Sequence, residues 1–149
     1  MTKRVWQQIR SAANTDPSRH SPATSANRRR SLAYAAAGCA YMLRQQKNVR
    51  ILIAATLVVV TMGAWLGIGT DQWAILTLTV GSVWVAEFIN AAIEAAVNLA
   101  ASDFHPLAKV AKDVAAAAVL ISAIAAFAIA CLLFGPRLIE RLQIGAIAG

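Results

Sequence analysis

The stretch VWVAEFINAAIEAAVNLAASDFHPLAKVAKDVAAAAVLISAIAA, residues 83–126, decides the fold. It reads as two apolar helices joined by a short polar step. Yet the first carries Glu87 and Glu94, and the second opens on Lys112–Asp113. A charge at the centre of a bilayer costs about 3 kcal/mol or more, so an ionisable residue inside an apolar span marks a functional site by default.

The surrounding chain supports a membrane reading. It has 149 residues, of which 58% are hydrophobic and only 14% charged. A soluble fold of this length would leave much of that apolar surface exposed. The net charge of +7 is concentrated at one end. Residues 1–50 hold ten of the fourteen Lys and Arg, with Asp16 as the one acid among them. A basic arm could neutralise nucleic-acid phosphates. Directly before an apolar span it reads better as a flank facing anionic lipid headgroups, and no nucleic-acid partner is expected. Residues 1–27, rich in Ser, Pro, Asn and Ala, are expected to form a disordered basic arm. No apolar run followed by a small-residue cleavage site opens the chain, so no cleavable signal peptide is expected. Cys39 and Cys131 lie far apart without a CxxC pair, which suggests neither a zinc site nor a disulfide framework.

Three stretches reach the roughly 20 apolar residues a bilayer requires: 51–69, 72–100 and 114–135, the last ending before Pro136. Backbone groups in lipid must be satisfied internally, so these are helices. Residues 28–50 alternate basic and apolar residues at helical spacing, as an interfacial amphipathic helix does. The fold class is therefore an all-α membrane protein of one amphipathic and three spanning helices. Its expected parts are the arm, a membrane domain over 28–135 and a tail over 136–149. The connection at 70–72 has no Lys or Arg, while the connection after the second span holds Lys109 and Lys112. The positive-inside bias thus places the N-terminus and the second connection in the cytoplasm.

Glu87, Asn90, Glu94 and Asn98 recur at spacings of three, four and four, so they line one stripe of the second helix. Polar residues can also serve only to hold helices together. Two carboxylates on one stripe, followed by the Lys112–Asp113 pair, point instead to chemistry. A shallow carboxylate can hold Mg²⁺, which takes oxygen ligands and often brings nucleotide phosphates. A lysine beside it offers phosphate a point charge. A deeper carboxylate can accept the proton of a hydroxyl. Together these spell metal-assisted phosphoryl transfer to a lipid alcohol. No glycine-rich phosphate loop is present, so a nucleotide site here is not of the common types.

Residues 86–123, AEFINAAIEAAVNLAASDFHPLAKVAKDVAAAAVLISA, resemble the signature of the small prokaryotic diacylglycerol kinase/undecaprenol kinase family. That pattern runs approximately E-x-x-N-x-A-I-E-x-x-V-D, then an acidic–aromatic–His step, then A-K-D-x-x-x-A-A-V-L. Residues 31–55 also look like the family's amphipathic helix and the entry to its first span, so the resemblance covers roughly 28–135. It implies a homotrimer with sites between subunits near the cytoplasmic surface, using ATP and Mg²⁺ to phosphorylate diacylglycerol or undecaprenol. Residue by residue it implies Glu87 as general base, Glu94 as metal ligand, also near the nucleotide, and Asn90 as a supporting polar residue. Lys112 and Asp113 match a nucleotide-side pair, and Asp103, Phe104 and His105 an ATP-contacting step. Tyr34 matches a nucleotide-contacting tyrosine, with Arg28 or a neighbouring arginine a turn or two before it. By itself, His105 before Pro106 would read as an ordinary loop residue.

Two positions depart from the pattern. Gln46 stands where the family usually has a metal-binding glutamate, and Asn98 where it usually has aspartate. Both keep shape and lose charge, which weakens Mg²⁺ binding unless something compensates. They leave room for a catalytically weakened or inactive member that binds nucleotide or lipid. A small transport or channel subunit would also place carboxylates inside a bundle, but does not account for the Lys112–Asp113 pair.

Overall fold

The computed structural model describes residues 28–100 and 105–147, and among these it contains four helices and no strand. They are α1 (Arg28–Gln45), α2 (Lys47–Leu66), α3 (Thr70–Ala100) and α4 (Pro106–Ile147). The last three are long and apolar enough to cross a membrane. The chain divides into two compact units, residues 1–41 and 42–149. What is described of the first is the leading part of α1, exposed at every side chain from Ser31 to Cys39. The basic arm, 1–27, lies outside the described residues.

Within the second unit the helix boundaries differ from those expected. The amphipathic helix does not run to residue 50. It breaks at Gln46, whose backbone is extended (φ −93°, ψ 117°) although its N–H still donates to the Met42 carbonyl at 3.1 Å. The first interhelical turn falls on Gly67–Gly69 rather than on Thr70–Gln72. Gly67 adopts the left-handed conformation (φ 64°, ψ 47°), in which its N–H reaches Ala64 O and the next N–H, of Ile68, reaches Gly63 O. This double closure satisfies orphaned carbonyls of α2 and needs a residue without a Cβ penalty. It folds Ile68 back onto Gly63, where an added Cβ would stand 3.0 Å from Ile68 Cδ1. Thr70–Gln72 become the first turn of α3. Gln72 Oε1 accepts from Gly69 N at 3.0 Å, half of a capping box, and Asp71 complements the helix dipole.

The third span also runs past its expected limits. Lys109 and Lys112 belong to α4, not to a loop, and the helix continues through Pro136. Proline there removes one backbone bond, which membrane helices tolerate. At 42 residues α4 is about 63 Å long, roughly twice the hydrocarbon thickness, so it projects from the bilayer. The expected tail is thus largely helix. Leu138 packs on the core, Arg137 donates to Gly67 O at 3.4 Å, and the Arg141 guanidinium lies 5.0 Å from the Trp65 ring.

The core has two clusters. Leu66, Ile68, Leu76, Leu133 and Phe134 fill the end near the Gly67–Gly69 turn. Met42, Val49 and Ala91 fill the other, joined by Ile53, Trp84 and Phe88. The main interface is between α3 and α4. The face α3 buries is Leu76, Thr79, Val83, Glu87 and Asn90, a helical stripe whose character turns from apolar to polar partway along. Most other polar groups of the spans close on their own helix: Thr56, Thr77 and Thr79 donate to the carbonyl four residues back, and Ser82 to the one three back. Between α2 and α3, Trp84 Nε1–H donates to Thr56 Oγ1 at 3.1 Å.

Interhelical bonds of this kind inside membranes contribute about 0.6 kcal/mol on average. A double-mutant cycle on Trp84→Phe and Thr56→Val, read by unfolding in detergent, is expected to give a coupling of about that size. Additive effects would show that the bond contributes nothing.

Candidate functional site

A cavity of about 420 Å³ lies between α2, α3 and α4. Its walls are Val, Ile, Leu, Ala and Phe, with Asn48, Thr56 and Glu87 as the polar exceptions. Asn48 and Glu87 stand on the ends of antiparallel α2 and α3 that meet at the Met42–Val49–Ala91 cluster, opposite the Gly67–Gly69 turn. From Asn48 to Val59 the cavity follows α2 for about 16 Å. Thr56 is already engaged: it donates to Leu52 O at 2.7 Å and accepts from Trp84. The far part of the cavity is therefore effectively hydrocarbon, with amide and carboxylate at the near end.

The stripe expected on α3 is present, and its burial is graded. Glu87 is 4% exposed and Asn90 7%, Glu94 is half-buried and Asn98 exposed. Asn90 Oδ1 is buried with no hydrogen-bond partner among the described residues. Such an orphan costs about 1–3 kcal/mol, so it is retained against stability.

Gln46 is placed by its neighbours. Met42 and Val49 pack on Ala91, which sits between Glu87 and Glu94 on α3. Gln46 makes no side-chain cap bond to α2, leaving its amide for other partners. Mg²⁺ takes oxygen ligands, typically one or two carboxylates with substrate phosphates supplying the rest. Glu94, the unpartnered Asn90 oxygen and the Gln46 amide are donors of that kind. Among the described residues no three His, Cys, Asp or Glu gather closely enough to hold a metal. A cation here would therefore depend on phosphate oxygens brought by a ligand.

Lys112 and Asp113, expected on the nucleotide side, have separate partners. Asp113 bonds Lys109, one turn earlier. Lys112 Nζ instead donates to Asn98 Oδ1 at 2.6 Å, tying the end of α3 to the start of α4. His105 caps α4: its Nδ1 accepts from Leu107 N at 3.2 Å and its carbonyl from Lys109 N, with Pro106 at the first helical position. In its neutral form an imidazole accepting at Nδ1 carries its proton on Nε2. Asp103 and Phe104 lie outside the described residues. Arg28 and Tyr34 are exposed on α1 in the first unit.

Sequence reasoning missed Asn48, Thr56 and Lys109. Asn48 sits in a polar run, QQKN, where nothing in its spacing sets it apart from its neighbours. The signal for Lys109 was available, since Lys109 and Asp113 are one turn apart, the favourable spacing for a helical ion pair.

Replacing Asn90 by Leu removes the unpartnered oxygen at similar volume. Thermal unfolding of Asn90→Leu in detergent is expected to be unchanged or raised by about 1 kcal/mol. A loss of about 2 kcal/mol or more would show that Asn90 has a structural partner instead.

Comparison with known proteins identifies the family. The model of the prokaryotic diacylglycerol kinase family matches residues 33–134. The chain is 41% identical to a diacylglycerol kinase of Synechocystis over 110 residues, 72% of this chain and 63% of that protein. It is 35% identical to an undecaprenol kinase of Bacillus subtilis over 109 residues, 73% of this chain and 89% of that one. A diacylglycerol kinase of Escherichia coli is 38% identical over 89 residues, 60% of this chain and 69% of its own length. The aligned stretch thus spans less than two thirds of the Synechocystis relative. A polar stripe with a buried carboxylate on the second of three spanning helices, and a match over residues 33–134 that reaches all four helices, lead to one conclusion: the chain belongs to the prokaryotic diacylglycerol kinase family, a family of membrane lipid kinases.

Proposed function

We propose that this protein transfers the γ-phosphoryl group of ATP to the hydroxyl of a membrane lipid. The observation that carries the reading is Glu87, a carboxylate 4% exposed in the wall of an otherwise apolar cavity between spanning helices. A lipid chain fits the hydrocarbon part, and its terminal hydroxyl then comes to rest among the polar groups at the near end. There Glu87 accepts the hydroxyl proton as the oxygen attacks the γ-phosphorus. The new O–P bond forms while the bond from that phosphorus to the β–γ bridging oxygen breaks, releasing ADP. Asn48, on the opposite wall, can hydrogen-bond the lipid oxygen and hold it toward Glu87.

The nucleotide side belongs to the more exposed residues. Lys112 offers a fixed positive charge and His105 an Nε2–H donor. The family resemblance adds Arg28, Tyr34, Asp103, Phe104 and Asp113. Glu94, Gln46 and Asn90 are the oxygen donors that would hold Mg²⁺, which when bound neutralises phosphate charge. The concentration of Lys and Arg before α2 supports a cytoplasmic N-terminus in a bacterial membrane, with the nucleotide side facing ATP. A homotrimer accounts for the largely unburied spans, since the most apolar windows of α2, α3 and α4 are only 17%, 33% and 11% buried.

The acceptor is either diacylglycerol or undecaprenol, the two alcohols named among the relatives. A second reading, a member that binds ligands with little turnover, draws on the amides Gln46 and Asn98. Purified protein given each lipid with labelled ATP separates these readings: label in one lipid names the acceptor, and none in either supports the second.

Glu87→Gln is expected to lower turnover at least about a hundredfold with oligomeric state unchanged. Wild-type turnover in that variant would remove the carboxylate from the mechanism. Gln46→Glu is expected to lower the Mg²⁺ concentration giving half-maximal activity, because it restores a carboxylate ligand. An unchanged Mg²⁺ requirement would place Gln46 away from the cation.

A further inference from the structure

We propose that Asn98 is a positioning residue that holds the Lys112 ammonium in place without neutralising it, so that its full charge meets a nucleotide phosphate. The proposal rests on the lipid-kinase reading for the identity of the ligand, and on the structure for the contact.

Two lysines and one carboxylate share the start of α4: Lys109, Lys112 and Asp113. Asp113 is taken by Lys109, one turn away on the same helix. Lys112 is therefore left with no carboxylate partner on its own helix, and a flexible ammonium of this kind would otherwise sample many rotamers. Its Nζ is instead held at 2.6 Å by Asn98 Oδ1, fourteen residues earlier and on another helix. The acceptor is an amide. It fixes the ammonium through one hydrogen bond and contributes no negative charge, where a carboxylate at the same place would form an ion pair and screen the lysine from an incoming phosphate. Among the described residues, the nearest acid along α3 is Glu94, one turn deeper on the stripe and half-buried. Asn98 thus serves the nucleotide side of the site rather than acting as a weakened metal ligand, and the charge missing at this position is charge left on Lys112.

The two roles predict opposite results for Asn98→Asp. An added carboxylate at a metal position tightens nucleotide binding in Mg²⁺, whereas one paired with Lys112 loosens it. The experiment measures displacement of a fluorescent ATP analogue from the full-length protein in detergent, so it does not depend on turnover. Asn98→Asp is expected to weaken nucleotide binding about three- to fivefold, and Asn98→Ala somewhat less. Both effects should vanish in a Lys112→Met background, and the Asn98→Asp effect should shrink as salt rises. Equal or tighter binding by Asn98→Asp overturns the proposal. So do unchanged binding in Lys112→Met and Asn98 effects that persist without Lys112. Protein that shows this coupling yet labels no lipid from ATP would refute the lipid-kinase reading and leave the Asn98–Lys112 role standing.

Discussion

A carboxylate inside a bundle of hydrocarbon-facing helices governs much of this structure. Glu87 cannot face lipid, so α3 must turn its Leu76–Asn90 face toward α2 and α4. That rotation puts Leu76, Thr79 and Val83 into the core on the same stripe, leaving Ile75, Leu78, Val85 and Ile89 on the outside. It also aligns the stripe with the first turns of α2, because Ala91 then packs under Met42 and Val49. The cavity forms where small residues, Ala123, Ala126 and Ala130, face that stripe across α4. Rotate α3 by a quarter turn and the cavity, the core and the approach of Gln46 are lost together.

The separation of tasks along α3 follows from the same orientation. At its buried part the helix presents groups suited to one hydroxyl in an apolar setting. At its exposed end it presents groups suited to a highly charged, hydrated ligand. Because these lie on one rigid stripe, the distance between the two chemistries is fixed by helix geometry, at about 1.5 Å per residue. On the proposed reading, pre-setting that distance lowers the entropic barrier to bringing a membrane-bound reactant and a water-borne one together.

Spans, helical class and the polar stripe were legible in the sequence because each rests on a strong periodic or compositional signal. Glu87 through Asn98 could be assigned to one face by spacing alone. The helix boundaries were less legible, for identifiable reasons. The break at Gln46 contains neither Gly nor Pro, so no local propensity marks it. Pro136 looked like a stop, since in water an interior proline usually is one, yet Leu138 and the Arg141–Trp65 contact hold the helix beyond it. The contacts of Lys112 and Asp113 were not legible from their adjacency, since neighbouring residues on a helix point apart. Asn98 lay in view on the stripe, but its contact crosses a connection and no one-dimensional pattern encodes it.

The Gly67–Gly69 turn bears on how such a chain enters a bilayer. Only three residues separate α2 from α3, and the αL glycine closes the helix end with the chain's own N–H groups. With the N-terminus on the cytoplasmic side, as proposed, the tip of this hairpin is what crosses the hydrocarbon. It carries one charge, Asp71, and its backbone is already largely hydrogen-bonded, so little has to be dehydrated during passage. Glu87 and Glu94 trail on the limb that follows, toward the side from which the hairpin enters. The residues proposed for catalysis are thus carried by the part of the protein that travels least.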